Sequence, residues 1–333
     1  MNKSTRISEM QKFHFGSRII CTDGDDGYVT HVVCDPDTCR LTHIGVKLGR
    51  LFGKSVQLPY DTVIDATGDG VALGITRAEV TAAGNPTVSG AILDSKSTIE
   101  NVGSGGRGTL SLIAVHPRSG EIAYIVAHNV RPNQGTLLRE EYIEKVATGV
   151  ISVNISAAAL QALPPYRSDS ELQQEVEFIL YDITSLHIDL KGMNIRVLDS
   201  VLYLEGNISS SLRSDIAEDQ AMGVPGLLEI KNNLVSDDHL AGELAMAYAN
   251  DPRTRDLPIG VYPRLGVIRL GGAVHTSQQK AAAGEIARNF PGVRSVLNEL
   301  VVNPDTDVIH IMAPAEGGEA EDKVPGKYVR HTK

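Results

Sequence analysis

The stretch GYVTHVVCDPDTCRLTHIGVKL, residues 27–48, returns as GTLSLIAVHPRSGEIAYIVAHN, residues 108–129. In the first copy two β-rich runs, 29–34 and 41–48, flank Asp35, Pro36, Asp37 and Thr38, residue types that favour a tight reversal. The second copy has runs 110–115 and 122–127 around HPRSGE. Pro36 matches Pro117 and Ile44 matches Ile125, so turn chemistry and apolar alternation persist while other side chains drift. A hairpin is therefore expected twice, and the duplication makes a filter. A residue required for chemistry in one copy should survive in the other.

Working outward, residues 55–58 predict a further strand that meets Pro59, and the turn formers Thr67, Gly68, Asp69 and Gly70 separate two more. The copy ends similarly in EYIEKVATGVISVNIS. Each unit closes with an Ala-rich helical stretch, 77–83 or 157–162, and a Pro-containing linker, AGNPTVSG or LPPYRSDS. Several short strands within about 70 residues predict a small closed barrel, which removes exposed edges. The order of hairpin, Gly-bearing loop GRLFGKS, VQLPYDTV and Gly-rich turn resembles the PRC-barrel family over residues 15–75, and more weakly over 90–155. The resemblance implies a small β-barrel used for protein contacts, including docking to ribosomal or membrane assemblies, and implies no reaction.

From Glu171 the period changes. Leu172, Val176, Ile179, Leu180 and Ile183 fall at helical spacing. Two strand candidates follow, NIRVLD and VLYLEGNI; residues 209–211 can cap a helix, and LLEIKNNLV supplies another strand. This order repeats: Leu204, Gly206, Ala217, Ala221, Pro225, Gly226, Asn232, Leu234 and Val235 recur at a constant offset as Leu270, Gly272, Ala283, Ala287, Pro291, Gly292, Asn298, Leu300 and Val301. The pattern resembles the BON domain over residues 171–235 and 241–302. That resemblance implies binding, to phospholipid surfaces or to other proteins, without catalysis. Gly206 and Gly272 follow the strand before a helix, and Gly226 and Gly292 mark the reversal into the last strand; all four read as structural glycines.

The expected organisation is multidomain β and α+β. Two small PRC-type β-barrels, 13–85 and 86–166, precede two BON-type α+β domains, 169–237 and 238–303. Residues 304–333 form a largely disordered tail. A net charge of -10 over 333 residues, concentrated after Tyr166, disfavours nucleic acid as a partner. Three cysteines form no secreted disulfide framework. The first twenty residues hold no continuous apolar core, so a cytoplasmic location is expected, peripheral to the membrane if the BON-like pair meets lipid.

His31, Cys34, Cys39 and His43 form the sharpest metal-like motif, with zinc-type ligands. Alternation on a strand points His31 and Cys34 to opposite faces, so convergence would need a bulge. The copy replaces the four by Leu112, Val115, Gly120 and Tyr124. No metal is therefore predicted, and barrel packing accounts for them. Asp23, Asp25 and Asp26 lack the alternate ligands of an EF-hand, and NVGSGGRG lacks a following Walker lysine. No acid/base or nucleophilic constellation emerges. The loop carrying Lys47, Arg50, Leu51, Phe52 and Lys54 is the leading partner-binding candidate, a basic loop with an apolar tip. The expectation is a non-enzymatic scaffold or adaptor, without cofactor, that binds protein partners and self-assembles. The alternative is phospholipid or small-ligand binding through the BON-like pair.

Overall fold

The computed structural model describes residues 6–49, 53–84 and 88–304. Two compact units divide the chain between Leu234 and Val235. In the first unit the duplicated β-rich segment opens with β1 (Gln11–His14), β2 (Arg18–Cys21), β3 (Gly24–Asp35), β4 (Arg40–Lys47), β5 (Ser55–Pro59), β6 (Val63–Thr67), β7 (Gly70–Leu73) and helix α1 (Arg77–Ala82). The series then repeats as β8 (Ala91–Asp94), β9 (Thr98–Asn101), β10 (Arg107–Val115), β11 (Ile122–Arg131), β12 (Gln134–Arg139), β13 (Ile143–Ala147), β14 (Val150–Val153) and α2 (Ala157–Ala162). Both expected hairpins form: Asp35 pairs with Arg40 at the tip of β3 and β4, and Val115 pairs with Ile122 at the tip of β10 and β11.

The two sheets do not follow the two repeats. The strands β5-β4-β3-β2-β7-β6 form one path, and β8 joins it through β3; β12-β11-β10-β9-β14-β13 form the other, and β1 joins it through β10. Strand β3 is long enough to carry two neighbours on one edge, β2 along 24–28 and β8 along 31–34, while β4 fills the opposite edge. Strand β10 does the same with β9 and β1. Since β1 and β8 occupy equivalent places in the repeat, each repeat gives its first strand to the other. Phe13 of β1 and Leu93 of β8, both 0% exposed, enter a single core that runs through both sheets.

The expectation of a separate closed barrel in each repeat is not confirmed by the strand pairing. Among the described residues no ladder joins β5 to β6 or β12 to β13, and the strands of 13–85 and 86–166 interlock across the boundary at 85. The reason is physical: alternation fixes which face of a strand is buried, but an edge can accept any strand whose pattern fits.

An α+β module completes the first unit: α3 (Asp169–Asp182), β15 (Met193–Leu198), β16 (Val201–Ile208), α4 (Ser211–Met222) and β17 (Glu229–Ser236). Helix α3 starts at a capping box in which the Ser168 hydroxyl accepts from the Glu171 amide and Glu171 reaches back to the Ser168 amide. Its apolar stripe, Leu172, Val176 and Leu180, packs with Leu202, Leu204, Ala217 and Ala221.

The second unit repeats the order with α5 (Asp237–Asn250), β18 (Ile259–Arg264), β19 (Val267–Val274), α6 (Ser277–Arg288), β20 (Ser295–Asn298) and β21 (Val301–Val302). Ala283 and Ala287 of α6 lie among Leu240, Leu244, Tyr248, Ile268 and Leu270, small residues that let the helix approach the sheet closely. In each module a small sheet is covered by helices on one face only, which leaves the other face to find a partner.

Candidate interaction site

The hairpin between β15 and β16 turns through Asp199 and Ser200, at φ 52° and 61°. Two left-handed residues in succession match a two-residue hairpin of the primed type, whose twist suits the flanking strands. The carboxylate of Asp169, first residue of α3, accepts both turn amides, from Asp199 and Ser200, each at 2.8 Å. The second unit uses the same device. Leu265 and Gly266, at φ 47° and 76°, donate to Asp237 at 2.7 and 3.0 Å. Sequence reasoning passed over this helix-to-turn clamp; the recurrence of Asp at the start of both helices, Asp169 and Asp237, was the available signal.

With its backbone held from one side, the Asp199 side chain is free to face the β-sheets. It is 2% exposed, accepts from the Gly68 amide at 2.9 Å, and meets His14 Nε2 at 2.5 Å. Next to it Lys12 of β1 is 1% exposed. Burial pushes the Lys12 ammonium below its ordinary pKa, and the carboxylates of Asp199, Asp65 and Glu229 oppose that fall. Glu229 also accepts from the Ser8 amide and hydroxyl at 2.9 and 2.8 Å. At the rim, Arg196 Nη2 donates to both carboxylate oxygens of Asp69 at 2.6 and 2.5 Å. Thus β1, the turn between β6 and β7, and the open face of the module's sheet form one charged seam within the first unit. That seam packs the module against the β-sheets: buried Asp199 is met by His14 and the Gly68 amide, while the nearby carboxylates only partly offset the desolvation of Lys12.

The row on this open face is Arg196, Tyr203 and Lys231: Arg196 pairs with Tyr203 across the ladder, and Lys231 Nζ lies 5.7 Å from the Tyr203 ring centroid. At the repeat's constant offset the second unit presents Tyr262, Arg269 and Leu297. Tyr262 pairs with Arg269, whose guanidinium lies 5.1 Å from the ring, and Arg269 pairs with Leu297. A stacked cation and aromatic ring therefore recur at the same place on both sheets.

The loop favoured by the sequence is only partly described. Arg50, Leu51 and Phe52 lie outside the described residues, as does the expected tail beyond residue 304. Lys47 sits in β4 opposite Tyr28 and Ser55, and Lys54 Nζ donates to the carbonyl of Thr81 at 3.3 Å.

Of the four metal-like residues, His31 and His43 project from the outer face of β3 and β4, whereas Cys34 is buried in the inner core and Cys39 lies in the turn. Register shifts do occur beside His31 and Cys34, yet they do not bring the four together. Among the described residues no three His, Cys, Asp or Glu side chains gather as a metal site, and no disulfide joins the cysteines. The copy's Leu112 and Tyr124 belong to a small apolar cluster on the matching outer face, packed with Ile7, Met10 and Tyr166. The two copies diverge at these positions because one outer face is covered by apolar side chains and the other carries histidines.

All four structural glycines have positive φ: 98° at Gly206, 104° at Gly226, 115° at Gly272 and 83° at Gly292. At Gly206 a Cβ would also lie 2.2 Å from the Gly192 carbonyl oxygen, so backbone approach as well as conformation requires glycine there. A cleft of about 630 Å³ at the start of α6 holds Arg253 and Glu285 as its charged lining. These two pair with each other at 3.0 Å, and Arg253 also binds Asp251, so the cleft presents no free charge of its own. No helix among the described residues is long and apolar enough to cross a membrane.

A family model described as BON domain matches residues 236–304. Two solved structures show partial similarity, both of CdsD, a structural protein of the type III secretion system of Chlamydia trachomatis. The first shares 15% identity at a TM-score of 0.33, covering 40% of this chain and spanning 61% of that chain's length. The other, the CdsD C-terminal domain, shares 14% identity at a TM-score of 0.32, covering 46% of this chain and 71% of that one. Similarity at that level does not establish a common fold. No curated protein matches the chain.

Proposed function

We propose that this protein is a non-enzymatic scaffold or adaptor. Its interlocked β repeats, read as a PRC-type pair, make a platform, and two BON-type modules supply docking faces. The observation that carries this reading is the charged seam of the first unit. There the open sheet face of an α+β module binds a folded protein surface through Asp199, Arg196 and Glu229. The second α+β module, where the BON match falls, repeats the element order and the Asp clamp. Residues 169–237 are proposed as the other BON-type module on the same ground, and the basic loop at 47–54 as a further contact. We place the protein in the cytoplasm.

Light scattering combined with affinity purification from native lysate tests the proposal. A stable higher oligomer, or a stoichiometric partner that survives a salt wash, is expected. A strict monomer with no retained partner overturns it. Binding to phospholipid is the second reading, resting on the BON match, and liposome flotation with and without residues beyond 166 separates it from the first.

A further inference from the structure

The open face of the second unit's sheet is defined by alternation along its strands. Ile268 and Leu270 of β19 point into the helix-covered core, so Val267, Arg269, Gly271 and Ala273 point the other way. Neighbouring strands add Tyr262, Arg264 and Leu297, and Val301 pairs with Ala273. Tyr262 is 54% exposed, Leu297 53% and Val301 60%, a set of large side chains that water does not favour. Arg264 meets no carboxylate at ion-pair distance among the described residues, and Arg269 has one loose contact, to Glu299 at 3.8 Å. The face is therefore basic and apolar at once.

The first unit shows what such a face takes. Its equivalent row is met by the turn between β6 and β7, with Asp69 on Arg196, while Asp65 contributes to the field at Lys12. A second copy of the same face is a poor occupant, since face-to-face packing would bring Arg264 and Arg269 against themselves. We propose that the open face of the second unit docks an acidic β-turn of a protein partner, flanked by apolar residues. Its carboxylates would pair with Arg264 and Arg269, and its apolar flanks would cover Tyr262, Leu297 and Val301. The inference rests on the scaffold reading and names the partner chemistry at this one face.

The chain has no tryptophan, so Tyr262→Trp places a single reporter on the face while retaining an aromatic ring for Arg269. The probe is a backbone-cyclised peptide of residues 63–73, VIDATGDGVAL, titrated into the full chain. A saturable change in emission below about 1 mM is expected, weak as befits a single turn. Replacing Asp65 and Asp69 of the peptide by Asn, or adding Arg264→Glu and Arg269→Glu to the protein, should weaken it about fivefold or more. No saturable change up to about 5 mM peptide overturns the proposal, as does an equal response in the arginine variants. Two further outcomes also overturn it: a response to vesicles of phosphatidylglycerol and phosphatidylcholine but not to the peptide assigns the face to lipid, and a change on removing residues 305–333 assigns it to the chain's own acidic segment. If the peptide fails while an oligomer or partner is still recovered, the scaffold reading stands and only this face is misassigned.

Discussion

Replacing Asp199 by Ala should open the seam that holds the first α+β module to the β-sheets. The carboxylate is 2% exposed and accepts from the Gly68 amide at 2.9 Å. A hydrogen bond to a buried charged acceptor contributes about 1.5–3 kcal/mol. The His14 contact adds less, because the imidazole is one-third exposed and screened. Lys12, 1% exposed, would lose the foremost of the carboxylates that oppose its desolvation. Alanine at φ 52° adds about 1 kcal/mol of backbone strain. Together these give about 3–5 kcal/mol, the range for breaking a buried pair. Asp199→Asn tolerates the left-handed backbone and should lose about half as much. Hydrogen exchange on the full chain reads the change locally, without assuming two-state unfolding. Protection of residues 66–70 and 193–201 should fall by about two to three and a half decades in the alanine variant. Residues 259–274 of the second unit serve as the internal reference. A shift under about twofold would refute the role given to Asp199.

Other expectations test the glycines, the thiols and the caps. Gly206→Ala should cost about 3 kcal/mol in urea unfolding, since its Cβ would strike the Gly192 carbonyl at a φ of 98°. Gly242→Ala, in α5 with open space around it, should instead stabilise by up to about 1 kcal/mol; equal costs at the two sites would contradict the steric argument. Burial pushes the Cys34 thiol up to about 12, so at mildly alkaline pH a disulfide reagent should label the half-buried Cys39 first and reach Cys34 only on unfolding. Finally, the Asp23, Glu79 and Glu171 carboxylates are held below their ordinary range by hydrogen bonds from the Arg77 amide, the Thr76 amide and the Ser168 hydroxyl. A depressed folded pKa contributes stability that is present above about pH 4 and lost as the pH falls through the folded value. Protection of the Thr76, Arg77 and Ser168 amides, taken relative to their intrinsic exchange rates at each pH, should therefore fall on acidification below about pH 4, and unchanged protection would remove these caps from the account.

Local grammar made much of this protein legible. The Asp and Pro residues at 35–37 forecast the hairpin of β3 and β4. Ser168 with Glu171 and the Leu172, Val176, Leu180 spacing forecast α3, and the repeated L-x-G and P-G patterns forecast the order shared by both α+β modules. Each of these is decided within a few residues by turn preference, capping or periodicity. Within the metal-like motif, His31 and His43 occupy a different face of β3 and β4 from Cys34, a separation that strand alternation foreshadowed for His31 and Cys34.

What the sequence left open depended on residues far apart. Pairing of Gln11 with Val115 and of Ala91 with Cys34 interlocks the repeats, and either strand would fit its own repeat's sheet by pattern alone. Likewise, both α+β modules carry an exposed-face pattern with a stacked cation and aromatic ring, and only the tertiary structure shows that Asp199 reaches Gly68 and His14 while Tyr262 stays open. The sequence by itself determined which elements form and which face each one buries, because those choices follow from local periodicity. Which edge a strand joins and which face is covered were decided by the tertiary structure, because the free energy of each choice lies in contacts that no local window contains.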